Sequence, residues 1–320
     1  MTELSRNLFT DFHIRKSKKQ KEAFRIWLCD VLTAQGYAPA TEKTISAANV
    51  VVGDPEKAKV IYTAHYDTCA VLPFPNFITP RNLLWYLCYQ ILLVIPMFVP
   101  AIAAEVGTIL LWERITGAEC PMWAAMAALY IVLAFSLWWL MDGPANKHTA
   151  NDNTSGVLTL LEIALTLPPD LRGEVCFVFF DNEEKGLLGS SAFAKKHPAV
   201  KKGTLLVNFD CVSDGDSIQF FPTKTVKADN RVLSALSAAF PAASEKTTEI
   251  VIGFGFYPSD QAQFKCGVGV CALKKKPVIG YYMDRIHTKK DTVLMEENIE
   301  LLRSGAIRLA EILAAAEQSV

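Results

Sequence analysis

Residues 177–186, FVFFDNEEKG, run four apolar side chains straight into three acids, Asp181, Glu183 and Glu184, before Gly186. Adjacent carboxylates repel each other and resist desolvation, so a strand that ends in Glu183 and Glu184 needs either water or positive charge there. A solvated turn meets the first need, because loops are wet and the first turn of a helix tolerates negative charge. A bound cation meets the second, provided that other ligands arrive from elsewhere in the chain.

Such residues do occur where other apolar stretches stop. KVIYTA (59–64) leads into His65-Tyr66-Asp67, Asn151-Asp152-Asn153 precede a helical stretch, TLLVNF (204–209) leads into Asp210, and the loop DRIHTKKDT carries His287. Taken singly, His65 suits a strand end, Asp152 a helix cap and Asp210 a turn. Taken together, His65, Asp152, Glu184, Asp210 and His287 offer two imidazoles and three carboxylates. That set suits a pair of divalent cations, and zinc accepts mixed N/O ligands.

The elements that must position them can be read from periodicity. Helices are expected at 19–35, where Phe24, Trp27, Leu28 and Val31 share a face and Gly36 stops the run, and at 155–167, 185–197, 230–240 and 295–318. Strands are expected at 49–52, 59–64, 174–180, 204–209 and 217–221, and in EIVIG and GVGVCAL. Strands that are apolar along their whole length and alternate with helices predict an α/β fold, a mostly parallel central sheet flanked by helices. In such a sheet ligands gather beyond the carboxyl ends of the strands, where the five residues above lie.

The blocks HYD, NDNTSG, FFDNEEKGLLGS, VNFD and IHTKKDT, in this order, resemble metallopeptidase family 28, the di-zinc aminopeptidases. The resemblance spans roughly residues 20–80 and 142–315 and implies a zinc exopeptidase-like fold with two co-catalytic Zn²⁺. It implies that Asp152 bridges both metals, that Glu184 and His287 complete one site, and that His65 and Asp210 complete the other. Asp67 would orient the His65 ring, and Glu183 would be the general base acting on a metal-bridging water. Neighbouring side chains on an extended segment point different ways, so Glu184 can coordinate while Glu183 faces substrate. Tyr257 is a candidate for polarising the scissile carbonyl, or a packed loop tyrosine. Two departures stand out: Gln261 follows Ser259-Asp260 where the family often has histidine, and a long apolar insertion separates His65 from Asp152.

That insertion sets the expected organisation. No charge occurs from Leu83 to Ala104 or from Pro121 to Met141, and each run would be about 30 Å long as a helix, the thickness of a bilayer's hydrocarbon core. Five of the six tryptophans (85, 112, 123, 138 and 139) lie here, at the ends of the two runs, as interfacial belts require. The reading is therefore a single catalytic zinc-peptidase domain from 1–80 and 142–320, with 81–141 as an inserted transmembrane hairpin (about 83–104 and 121–141). A hairpin buried in a soluble core is one alternative, and a lipid-dipping or dimerising hairpin another. Arg81 and Lys147 flank its outer ends, which by the positive-inside rule puts the catalytic domain in the cytoplasm.

Composition excludes other classes. Lys plus Arg number 32 against 33 for Asp plus Glu, a net charge of -1, which gives no footprint for nucleic acid. The eight cysteines form neither CxxC pairs nor a disulfide framework and sit mostly in apolar runs, as in a reducing compartment. The first twenty residues have no apolar core like that of a secretory signal. The expected activity is a membrane-anchored zinc aminopeptidase acting on a peptide or amino-acyl substrate, with lipid contact through 83–141. The alternatives are a glutaminyl-cyclase-like acyltransferase working with one zinc, and a non-catalytic receptor-like relative.

Overall fold

The structure, a computed structural model, describes residues 3–74, 76–242 and 246–317. In chain order it forms α1 (Glu3–Thr10), α2 (Lys18–Ala34), β1 (Ala40–Lys43), β2 (Ala48–Val52), β3 (Val60–His65), α3 (Leu83–Thr116), α4 (Met122–Asp142), α5 (Gly156–Thr166) and β4 (Val175–Phe180). There follow α6 (Leu188–Lys196), α7 (Pro198–Gly203), β5 (Leu205–Phe209), β6 (Ser217–Pro222), α8 (Lys224–Lys227), α9 (Asn230–Ala239), β7 (Thr247–Ile250), β8 (Gly267–Lys276), β9 (Gly280–Tyr282) and α10 (Glu296–Glu317). Helix α2 begins at a capping box, in which Ser17 and Gln20 satisfy each other's backbone N–H groups, and the chain turns away at Gly36 with φ +82°.

The strands lie in the order β1-β2-β4-β3-β5-β8-β6-β7, with β9 on β8. This sheet is mixed rather than mostly parallel. β4, β3, β5 and β8 run parallel at its centre, whereas β1, β2, β6 and β9 each pair antiparallel to a neighbour. β1–β2 and β8–β9 are joined by turns too short for a crossover, which forces antiparallel pairing.

The central strands separate two cores by simple alternation. Val60, Tyr62 and Ala64 of β3, with Val175, Phe177 and Phe179 of β4, face a cluster that includes residues of α2, α5, α9 and α10. Ile61, Cys176, Val178 and Phe180 face the other side, against Phe193 of α6 and Val200 of α7. With both faces covered, only the strand ends are left for polar chemistry. His65 at the end of β3 is in register with Phe180 at the end of β4, so the loops that follow leave the sheet side by side.

Asn49 locks the loop after β4. Its Oδ1 accepts the N–H of Asp181 at 3.0 Å and its Nδ2 donates to the carbonyl of Gly189 at 2.9 Å, tying β4 to the start of α6. The Asp181 carboxylate takes Lys21 Nζ at 2.7 Å and the N–H of Ala48 at 2.9 Å. A Cβ at Gly189 would lie 2.3 Å from the carbonyl oxygen of Asp181, so glycine is what permits this approach.

The apolar insertion forms two helices that pack on each other, and both are long and apolar enough to cross a membrane, with 6% of each apolar window buried. The small residues Ala101 and Ala125 are the buried ones among their described positions. Helix α3 runs well past the expected end at 104: its apolar pattern continues through TILLW, and the first residue to take a left-handed cap is Gly117, φ +68°. At the far end Trp112 and Trp123 meet edge to face, 6.4 Å between ring centres.

Asn49→Ala strands two buried polar groups at the loop that carries Glu183 and Glu184. The variant should lose about 1–3 kcal/mol of stability, read as a lowered Tm in detergent, and a wild-type Tm would show that Asn49 does not hold this loop.

Candidate metal centre

Three parallel strands deliver the ligand-type residues to one rim. His65 ends β3, Glu183 and Glu184 follow β4, and Asp210 follows β5. Asp152 comes from the turn before α5, and His287 from the loop between β9 and α10. All five expected ligands converge. His65 Nε2 lies 3.3 Å from Asp152 Oδ1 and 3.4 Å from Asp210 Oδ1. His287 Nε2 lies 2.9 Å from Asp152 Oδ2 and 3.3 Å from Glu184 Oε2. The Asp152 carboxylate thus faces two imidazole–carboxylate sets, one with each oxygen. The edge of a tetrahedron of ligands at ~2.0 Å from zinc is roughly 3.3 Å, close to these separations.

The backbone is held in uncommon conformations around these residues. Asn182, Cys211 and His287 have φ of +57°, +56° and +60°, a region that non-glycine residues rarely occupy and that concentrates at functional sites. Asn182 donates to the carbonyl of Ser46 and accepts from Lys21 Nζ, which fixes the turn into Glu183.

Asp67 reaches past His65 to the loop after β4. Its carboxylate accepts the backbone N–H groups of Glu183 at 3.0 Å and Glu184 at 3.2 Å, so it pins both glutamates. His65 Nδ1 is nearer the Asp67 carbonyl, at 3.2 Å, than its carboxylate, at 3.5 Å. Asp291, in the same loop as His287, plays the matching part for Asp152: its two oxygens accept the N–H groups of Asn151 and Asp152 at 2.7 and 3.0 Å.

Several neighbours were not singled out by sequence. Arg15 is fully buried; it donates to the carbonyl of Tyr66 and to Thr154 Oγ1, the latter at 3.1 Å. Burial lowers its pKa to about 10, against the pull of Asp67 and Asp152. Cys69 is grouped with Asp152, Glu184 and His287, their ligand atoms all within 4.8 Å of one another. No motif marks Arg15; Cys69 is visible only as the fourth residue after His65. A cavity lined by His65, Asp152, Glu183, Glu184, Asp210 and His287 opens at this rim; Tyr257 also lines it, but its hydroxyl donates to the carbonyl of Asp210 at 3.0 Å. Gln261 holds that segment from behind, through Nε2 to the carbonyl of Tyr257 at 2.6 Å and Oε1 to Asn208 at 3.2 Å.

The electrostatics of the protein alone are unbalanced. Burial pushes Glu184 up to about 8, with Asp152 and Asp67 adding to the shift, and burial pushes Glu183 well above the usual carboxylate range. Burial would lower the His287 pKa, but Glu184 and Asp152 outweigh it and hold the ring at about 9. Asp152 goes the other way: burial raises it, and His287 and His65 overcome that and keep it ionised. Glu184 Oε1 is buried with no hydrogen-bond partner. An orphaned carboxylate oxygen among crowded acids and imidazoles is the donor set a divalent cation satisfies.

The family model for Peptidase family M28 matches residues 139–311, more than half of the sequence. The chain belongs to this family. No curated protein sequence matches it. Among solved structures, it is similar to the LapA aminopeptidase of Legionella pneumophila, with TM-score 0.57 and 15% identity over 97% of this chain and 68% of that one. It is similar to a Zn-dependent exopeptidase from Parabacteroides distasonis, with TM-score 0.57 and 15% identity over 97% of this chain and 94% of the other. It is also similar to Porphyromonas gingivalis glutaminyl cyclase, with TM-score 0.57 and 16% identity over 96% and 97%. At these identities the likeness is one of fold. Membership of the M28 family implies zinc, and the residues present fit it.

Burial raises Glu184, and neighbouring carboxylates raise both His287 and His65, so at pH 7 this buried cluster holds protons that coordination must displace. Zinc uptake should therefore eject protons, and affinity should climb as the pH rises from 6 toward 9. Calorimetric titration in two buffers of different ionisation enthalpy reads the proton count directly, and a pH-independent affinity would contradict the assignment.

Proposed function

We propose that this chain is a membrane-anchored zinc aminopeptidase, with residues 1–80 and 142–320 as its catalytic domain and 81–141 as its anchor. The observation that carries the reading is the divided Asp152 carboxylate, which offers one oxygen to His65 and Asp210 and the other to His287 and Glu184. In this reading His65, Asp210 and Asp152 would hold one zinc ion, and His287, Glu184 and Asp152 a second. When bound, the ions would supply Lewis acidity to the scissile carbonyl and to the attacking water.

The chain's own residues do the rest. Glu183, whose carboxylate lies with His65 and Glu184 inside a 4.8 Å group, is the general base: it takes a proton from the water on one oxygen and returns it to the leaving amine nitrogen. Asp67 keeps that carboxylate in place through the Glu183 N–H. The cavity around these residues has a volume of about 180 Å³, small beside the 300–1,000 Å³ of ordinary ligand pockets, which suits a single terminal residue. Acids line it, and among its described lining residues there is no arginine or lysine to receive a substrate carboxylate. That balance favours a cationic N-terminus over a C-terminus.

The two apolar helices support the anchor. Thr108 and Ser136 return their hydroxyls to backbone carbonyls one turn back, at 2.8 and 2.9 Å, which suits a medium without water. Lys16 donates to the carbonyl of Met141 at 2.6 Å and Lys185 pairs with Asp142 at 2.5 Å. Together with Arg81, these cations at the base of the hairpin favour a cytoplasmic catalytic domain. The fold likeness to a glutaminyl cyclase supplies a second reading, a one-zinc acyltransferase, which metal counting and cyclisation of peptides with N-terminal glutamine would separate from the first.

Glu183→Gln should keep two equivalents of zinc and lose activity on aminoacyl-arylamides by about 10²–10⁴-fold, while Asp152→Ala should lose both metal and activity. Metal analysis and a chelator-controlled assay in detergent check this, and an active Glu183→Gln enzyme would remove Glu183 from the role of base.

A further inference from the structure

We propose that the loop 251–258 and the β8–β9 turn form a collar that seats the mouth of the metal cavity on the headgroup region of an anionic bilayer. This rests on the hairpin being membrane-spanning and adds a contact made by the catalytic part itself.

The exposed apolar residues point to it. Outside the hairpin, the large apolar side chains exposed among the described residues are Ile26, Ile45, Ile252, Phe254, Phe256 and Val278. Four of these six lie on two adjacent segments, and those segments touch the first turn of α3. The N–H of Phe256 donates to the carbonyl of Pro80 at 2.8 Å, and the Phe256 ring meets Tyr86 of α3 edge to face at 5.4 Å. Asn82, the N-cap of α3, donates through Nδ2 to the carbonyl of Ile279 in the β8–β9 turn at 3.1 Å. Val278 stands at the tip of that turn, 86% exposed. A row of apolar tips fixed at the root of a hydrophobic hairpin has its complement in the membrane interface, where water gives way to acyl chain.

Charge complements this surface. Lys275 and Lys276 lie over the rings of Tyr281 and Tyr282, at 5.0 and 5.2 Å; Arg81 lies over Tyr281 at 4.8 Å but is paired with Glu249 at 2.6 Å, which leaves the two lysines to meet headgroups. Cations stacked on tyrosines beside exposed apolar tips suit anionic headgroups, which attract juxtamembrane lysine and arginine.

The collar is continuous with the cavity. Tyr257 follows Phe256 directly and lines the cavity, as do Tyr86 and Gln90, one turn apart on α3, and Ile78 just before it. The element that enters the membrane thus forms part of the cavity wall, and the loop that would rest on the membrane forms another part. The mouth then opens at headgroup level, where aminoacyl substrates carrying an apolar tail concentrate.

The test is photocrosslinking of the full chain in nanodiscs of phosphatidylcholine with one part in five phosphatidylglycerol. A photoreactive p-benzoylphenylalanine is placed in turn at the positions of Phe254, Val278, Leu92 on the hairpin and Glu300 on α10. Lipid adducts at Phe254 and Val278 several-fold above those at Glu300 support the collar, and Lys275→Glu with Lys276→Glu should lower the Val278 adduct at least twofold. Adducts at Leu92 with only the Glu300 level at Phe254 and Val278 would overturn the collar and leave the anchored hairpin standing. If Leu92 also fails to label, the membrane reading falls and the collar with it.

Discussion

Like charges brought together out of water set the terms for this molecule. Asp67, Asp152, Glu183, Glu184, Asp210 and Asp291 meet at one end of a sheet whose two faces are closed by apolar side chains. Among the described residues, the positive charge facing these acids comes from two imidazoles, the buried Arg15 and the half-buried Lys16. The protein meets the excess partly with hydrogen bonds, since Asp67 and Asp291 are each satisfied by two backbone N–H groups. It leaves Asp152, Glu184 and Asp210 aimed inward at the imidazoles. The remaining imbalance is what makes the place a candidate metal site rather than a polar turn.

Much of this was legible because ligand chemistry demands residue types that propensity does not. Histidine or acid at the end of each of several apolar strands is a pattern that a packed core has no use for, and the parallel centre of the sheet turns it into one rim. The strand ends at His65, Glu184 and Asp210 could therefore be read before any coordinates, whereas the division of Asp152 between two ligand sets was implied by the family resemblance alone. The supports could not. Asn49, Arg15 and Asp291 act through distant backbone groups, and a hydrogen bond from Arg15 to Thr154 leaves no periodic trace. The antiparallel edges were missed because apolar content reports burial and not strand direction. The true length of α3 was missed because isolated charges such as Glu105 and Glu113 break a hydropathy pattern without breaking a helix.

The insertion has two roles that pull in different directions. Its middle is an apolar surface with little of it covered, whereas its first turns contribute Tyr86 and Gln90 to a polar cavity. A segment that were only an anchor would be free to diverge from the rest at its root. Here the root is tied on both sides, by Asn82 to the β8–β9 turn and by Pro80 to the 251–258 loop, so the hairpin joins the rim of the cavity at two points.

The position of β3 also has a consequence for synthesis. This strand is the middle of the parallel core, and both of its partners, β4 and β5, are translated after the hairpin. Until they emerge from the ribosome, His65 sits on a strand with two unpaired edges and Arg15 has no Thr154 to meet. Closure of the sheet therefore waits until the apolar segment has been made and β4 and β5 have followed it, and until then the first eighty residues hold β3 without its partners.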